Sequence, residues 1–156
     1  MLKVGLDLSS TASAVVILNE NNTLIDFFLI QPNKALDIMD RIIEIGKKIR
    51  DVLGYYQLEI EKVNIESGAF MAKGKRNELA MLNGIVYFIS RDLGFNTITT
   101  PPNSLKKKAT GNGRASKADM FDALPDAVAM RFINSEYKKL DDLTDAYHLA
   151  KIIDIP

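Results

Sequence analysis

Four carboxylates stand where folding alone gives little reason for them. Residues Leu2 to Leu8 alternate, with Leu2, Val4, Leu6 and Leu8 on one face and Lys3, Gly5, Asp7 and Ser9 on the other, which predicts a strand. Asp7 therefore lies inside a strand, where aspartate is disfavoured. Glu66 ends the run Val63-Asn64-Ile65-Glu66 and points away from Val63 and Ile65. In Asp142-Leu143-Thr144-Asp145 the two aspartates are three apart, on one face of a predicted helix. Carboxylates gathered at one point repel each other, which raises their pKa values unless a cation intervenes. Oxygen ligands without cysteine suit Mg²⁺ or Mn²⁺. Two such ions about 4 Å apart activate a water and stabilise the departing oxygen in phosphodiester hydrolysis.

A second group of residues is basic. Between Met71 and Lys117 nine bases (Lys73, Lys75, Arg76, Arg91, Lys106, Lys107, Lys108, Arg114 and Lys117) face two acids, so the segment is +7 in a chain of zero net charge. A basic middle with acidic flanks fits a polyanion site beside clustered carboxylates, and a solvated charged surface accounts for it equally well on charge alone. Phe70, set among glycine and bases, has the surroundings of an aromatic that stacks on DNA, and those of an ordinary core-edge residue. Lys73, Lys75 and Arg76 suit phosphate contacts rather than base reading. One ammonium of Lys106, Lys107 and Lys108 could stabilise charge on a scissile phosphate, although three adjacent lysines are usually a solvated run. Asp142, in a first helical turn, also suits capping or the helix dipole, and a lone histidine such as His148 is more often structural than metal-binding.

These residues need a scaffold. After the first strand, Ala14–Leu18 and Leu24–Ile30 are β-rich and joined by an Asn-rich turn, which predicts a three-strand meander. Ile38, Ile42, Ile45, Ile49 and Val52 predict an amphipathic helix over Lys34–Leu53, stopping near Gly54. Strands are expected at Ile60–Glu66 and Phe95–Thr100, with a helix over Glu78–Leu93 between them. That helix has two apolar stripes, one of which (Met81, Ile85 and Phe88) would stay wet without burial or a partner. A Lys-rich segment follows Pro101-Pro102. Ser116 then caps a helix to Leu124, which Pro125 ends, and Asp141–Ile153 forms the closing helix. The expectation is one α/β domain over residues 1–156: a mixed five-stranded sheet in the order βββαβαβ, then helices, with both faces covered. Parallel neighbours carrying Asp7 and Glu66 would bring both acids to the carboxyl edge of the sheet.

Composition excludes several classes. At 156 residues, 47% hydrophobic and 26% charged, the chain can bury a real core and is neither disordered nor fibrous. Without cysteine there is no disulfide framework, thiolate zinc site or cysteine nucleophile. No signal-like or membrane-spanning apolar run is present, and a cytoplasmic protein is expected.

In order and spacing, Gly5-Leu6-Asp7-Leu8-Ser9, Ile65-Glu66-Ser67, Phe70-Met71-Ala72-Lys73, Thr110 to Lys117 and Asp142-Leu143-Thr144-Asp145-Ala146 resemble RuvC-type Holliday junction resolvases over nearly the whole chain. The likeness implies a ribonuclease H-like fold, a homodimer, two Mg²⁺ ions per site with Mn²⁺ able to substitute, and paired nicks across a four-way DNA junction. It further implies that Asp7, Glu66, Asp142 and Asp145 are metal-binding acids and that Lys106 and Lys117 are catalytically important basic residues. Phe70 matches the aromatic that disrupts stacking near the junction centre, and Lys73, Lys75, Arg76, Lys107, Lys108 and Arg114 are expected to contact DNA. Here one residue is inserted between Glu66 and the Phe-Met-Ala-Lys run, and the chain is compact and neutral, more like a phage-encoded variety acting in host cytoplasm. Neither sequence preference nor cooperation with a host branch-migration motor carries over with the likeness. Three other readings stay open: a non-catalytic junction-binding module, an RNA-processing nuclease of the same fold, and an actin-like ATPase. The ATPase would need a second related domain that this length does not hold.

Overall fold

Period-two hydrophobicity builds the centre of the molecule. The computed structural model describes residues 1–67 and 76–156, and of Arg76 only its backbone. Strands β1 (Leu2–Asp7), β2 (Ser13–Asn19), β3 (Leu24–Ile30), β4 (Ile60–Glu66) and β5 (Asn96–Thr100) form one mixed sheet in the order β3-β2-β1-β4-β5. β1 pairs antiparallel with β2 and parallel with β4, Leu6 opposite Ile65, so Asp7 and Glu66 end neighbouring strands at the same edge.

Each sheet face has its own helical cover, because alternate residues point to opposite sides. Val4, Leu6, Val15, Ile17, Val63 and Ile65 pack against helices α1 (Ile38–Tyr55) and α2 (Arg76–Asp92). On the other face, Ala14, Val16, Leu18 and Leu29 meet α5 (Asp126–Ile133) and α6 (Leu140–Lys151). Between β5 and α5 in sequence lie α3 (Pro102–Thr110) and α4 (Lys117–Asp122), which dock on α6 through Leu105, Met120 and Leu149. Among the described residues no helix is long and apolar enough to cross a membrane.

Several expectations shift at their boundaries. α1 begins at Ile38 rather than Lys34, because the Asp37 side chain caps it by accepting from the Asp40 N–H at 2.9 Å. The Lys-rich segment is helical: Pro101 and Pro102 start α3, since a proline at the first helical position lacks only an N–H that would have no partner anyway. Pro125 ends the Ser116-capped segment as expected, and it also opens α5, a helix absent from the sequence reading. Ile85, placed on the wet stripe of α2, instead packs against the core, with Gly46 of α1 leaving room for it.

Candidate active site

Asp7 and Glu66 arrive at the sheet's carboxyl edge on the face covered by α6. Gly5 lets α6 come that close: a Cβ there would collide with the Ala146 carbonyl oxygen and lie 2.6 Å from the Ala150 nitrogen. The helix backbone therefore rests directly on β1, and Asp142 and Asp145 lie on its first turns beside the strand ends. Asn64, fully buried two positions before Glu66, donates from Nδ2 to the Leu149 carbonyl at 2.9 Å and accepts from the Thr100 hydroxyl at 2.9 Å. One amide thus ties β4, β5 and α6 together beneath the acids. Neither Gly5 nor Asn64 was assigned a role from the sequence, although a glycine and an amide within strands are signals of close backbone approach and of a buried polar partner.

The four acids sense one another. Burial raises Asp7 well above the ordinary carboxylate range, and the charges of Glu66, Asp145 and Asp142 raise it further. A hydrogen bond between the two carboxyls adds to the rise at Asp7 and opposes it at Glu66. Burial, then Asp145, push Glu66 up to about 7, and burial with Asp142 lifts Asp145 to about 6. Asp142 is raised by burial, against the lowering influence of Lys139. Acids from three distant stretches of chain thus form one electrostatic cluster. Among the described residues no three of them close into a ready-made ion cage. The donor set nonetheless suits a hard divalent cation: all the ligating atoms are oxygens, and a cation would relieve the mutual repulsion that raises Asp7, Glu66 and Asp145.

A stability prediction follows. Glu66 and Asp145 bind protons more tightly in the folded chain than their ordinary values of 4.5 and 3.8 allow. Their contribution is therefore fully present below about pH 4 and is lost as pH rises through about 6 and 7. Without divalent ions the melting temperature should fall by about 5 °C between pH 5 and pH 8. Saturating Mg²⁺ should restore most of that loss at pH 8 and little at pH 5, as read by calorimetry in EDTA and in Mg²⁺. An equal Mg²⁺ effect at both values would contradict the cluster's proposed affinity for the ion.

The bases distribute unevenly. Half-buried Lys106 lies near enough to lower both Glu66 and Asp145. Lys117, the first residue of α4 after the Ser116–Asp119 capping box, pairs with Asp141 at 2.7 Å rather than standing free. Lys106, Lys117, Asp141 and Asp145 border a cavity of about 90 Å³ that also reaches Met120 and Thr144. Lys107 and Arg114 are exposed. Lys108 is directed elsewhere, donating to the Ile155 carbonyl at 2.7 Å. His148 is fully buried with Nε2 at 2.9 Å from the Met120 carbonyl oxygen, so it pins α4 to α6; burial lowers its pKa. Phe70, Lys73 and Lys75 lie outside the described residues, as does the side chain of Arg76.

A mixed five-stranded sheet of this order with helices on both faces is a ribonuclease H-like fold. The chain matches the structure of Thermus thermophilus RuvC with a TM-score of 0.73 at 18% identity, over 96% of this chain and 91% of that one. A second structure, T. thermophilus RuvC in complex with Holliday junction substrate, gives 0.73 at 19% identity over 96% and 90%. No protein-family profile matches the chain. In sequence, the chain is 24% identical over 151 residues to the crossover junction endodeoxyribonuclease RuvC of Ehrlichia canis, covering 94% of this chain and 92% of the relative. It is 23% identical over 128 residues to RuvC of a Synechococcus strain, covering 81% and 76%. The resemblance read from the five motifs is thus borne out along almost the whole chain, in fold as in sequence.

Proposed function

We propose that this chain is a divalent-metal-dependent endonuclease that resolves four-way DNA junctions by paired phosphodiester hydrolysis. The observation that carries this reading is the convergence of Asp7, Glu66, Asp142 and Asp145 at one sheet edge, in a chain similar to RuvC over nearly its full length. Those four acids would hold two Mg²⁺ ions, or Mn²⁺ in their place. Bound there, the metal supplies an activated water and charge stabilisation at the departing oxygen. Asp7 and Glu66 are held by neighbouring strands and Asp142 and Asp145 by one helix, so their relative placement is set by rigid elements. Lys106, near enough to the acids to lower Glu66 and Asp145, would offer its ammonium to the scissile phosphate, and Lys117 would do so once it leaves Asp141. Phe70, Lys73, Lys75, Arg76, Lys107 and Arg114 would contact the junction around that centre.

The test is incubation of the purified protein with a synthetic immobile four-way junction, with and without Mg²⁺, mapping cuts on all four strands. Symmetric, Mg²⁺-dependent nicks ending in 5′-phosphates and ligatable without processing are expected. Nicks confined to structured RNA, or none in Mg²⁺, would overturn the assignment. Junction affinity should fall at least tenfold between 50 and 200 mM salt, because lysine and arginine contacts displace condensed counterions.

A junction cut twice calls for two active sites, and α2 offers the surface for a twofold dimer. Met81, Tyr87 and Phe88 are 40%, 41% and 66% exposed, around Gly84, where a side chain would meet nothing within 4 Å. Phe88→Asp is expected to give a monomer by analytical ultracentrifugation and unpaired nicks. A dimer of undiminished affinity would exclude α2 as the interface.

A further inference from the structure

A large cavity lies along the outer edge of β3, two strands from β1. A hollow of about 570 Å³ adjoins one of about 430 Å³, and the two share Phe28, Asp51 and Val52. Lys48, Asp51 and Val52 of α1 form one wall of the larger hollow, and Glu136 and Tyr137, between α5 and α6, form the other. Leu29 and Ile30, at the free edge of the sheet, lie between those walls. The feature is therefore a slot built around an unpaired strand edge.

We propose that this slot receives an extended segment of a partner protein, apolar and bearing lysine or arginine at alternate positions, which pairs with β3 as a sixth strand. Three observations converge on that occupant.

The first is the state of the edge. The Phe27 N–H is taken by the Asp26 side chain at 2.8 Å rather than by β2, so Phe27 directs its backbone groups outward and, two residues on, so does Leu29. The lower half of the edge is protected: Asp26 occupies the Phe27 N–H, and Arg131 donates to the Leu24 carbonyl at 2.6 Å and to that of Ile25 at 3.5 Å. Among the described residues the backbone N–H of Leu29 has no such cover, and Leu29 lines the larger hollow. The open stretch from Leu29 to Gln31 offers pairing to about four residues of an added strand.

The second observation is chemical. The floor is apolar, from Phe28, Ile30 and Val52, whereas the rim carries Asp26, Asp51 and Glu136. Among the described residues Asp51 and Glu136 make no ion pair, and the one base of the slot, Lys48, is tied to Glu44 at 2.9 Å. Such a rim attracts ammonium and guanidinium groups and repels phosphate, so the occupant is a basic peptide rather than a DNA arm.

The third is alternation. A strand laid beside β3 sends successive side chains to opposite faces of the sheet, one toward α1 and the next toward Tyr137. Asp51 stands on the first wall and Glu136 on the second, so bases at alternate positions, which share one face of the added strand, meet a carboxylate whichever face they take.

The probe is a fluorescein-labelled hexapeptide, Lys-Val-Lys-Val-Lys-Val, titrated with the whole chain at physiological salt and followed by anisotropy. Saturable binding is expected, at least tenfold tighter than for the glutamate counterpart. It should weaken at least tenfold in the Asp51→Lys/Glu136→Lys variant and at least threefold in the milder Asp51→Asn/Glu136→Gln variant. Hydrogen exchange at the Leu29 amide should slow at least tenfold in the complex. Junction nicking by both variants should equal that of the parent chain, since neither residue belongs to the acid cluster. Absence of saturable binding, equal binding by the variants, an unchanged Leu29 amide, or displacement of the peptide by duplex DNA would each overturn the proposal. Peptide binding is independent of cleavage, so its failure is distinct from failure of the nuclease assignment.

Discussion

Asp7→Asn is expected to reduce junction nicking in Mg²⁺ by at least a thousandfold while leaving junction affinity within about threefold of the parent chain. Asp7 is the most deeply embedded of the four acids, with the charges of the other three acting upon it. The amide keeps the size of the side chain and one oxygen, but it removes the negative charge on which cation binding depends. Without the ion no water is activated, whereas the phosphate contacts of the basic segment are untouched. The same substitution should raise the melting temperature at neutral pH, because a carboxyl whose folded pKa lies above its unfolded value destabilises the fold once pH exceeds the unfolded value. Lost activity accompanied by increased stability is a signature that a merely structural aspartate would not produce. Parallel measurement of nicking, gel-shift affinity and thermal melting decides it: undiminished cutting, or destabilisation together with lost binding, would remove Asp7 from its proposed role.

The second large effect is expected at a residue with no chemistry. Gly5→Ala should destabilise the fold by about 3 kcal/mol or more, or prevent folding, since the added methyl meets helix backbone that no rotamer change can move. Any folded fraction must carry α6 displaced from β1, and with it Asp142 and Asp145, so nicking should fall by a larger factor than the folded population. Gly54 is the control. A Cβ there meets nothing within 4 Å, and Gly54→Ala near the end of α1 should be neutral or stabilising by about 0.5 kcal/mol. Urea unfolding of the two variants makes the comparison. Equal stabilities would mean that α6 does not depend on the missing side chain at Gly5.

Much of this was legible in the chain itself. Alternation located β1, β-rich composition placed β3 to the residue, and 3.6-residue periodicity located α1, because these signals are encoded locally. Ser116 was readable as a cap for the same reason: its bond to the Asp119 N–H spans three residues. The acids, too, announced themselves by standing at positions poor for folding. α3 and α5 were harder, since short helices entered through proline draw their stability from docking on α6 and on the sheet rather than from their own pattern.

What the sequence alone determined is the inventory: four unfavourable carboxylates, a basic middle segment and the alternating elements that carry them. Only the tertiary structure decided which groups meet. The contact of Gly5 with α6, the bridge from Asn64 to Leu149, the pairing of Lys117 with Asp141 and the slot beside β3 all join residues remote in sequence. The physical reason is range. Periodicity and capping act over a few residues, whereas the raised pKa values of the acid cluster come from burial and charge brought together by strand order and by one helix lying directly on a glycine.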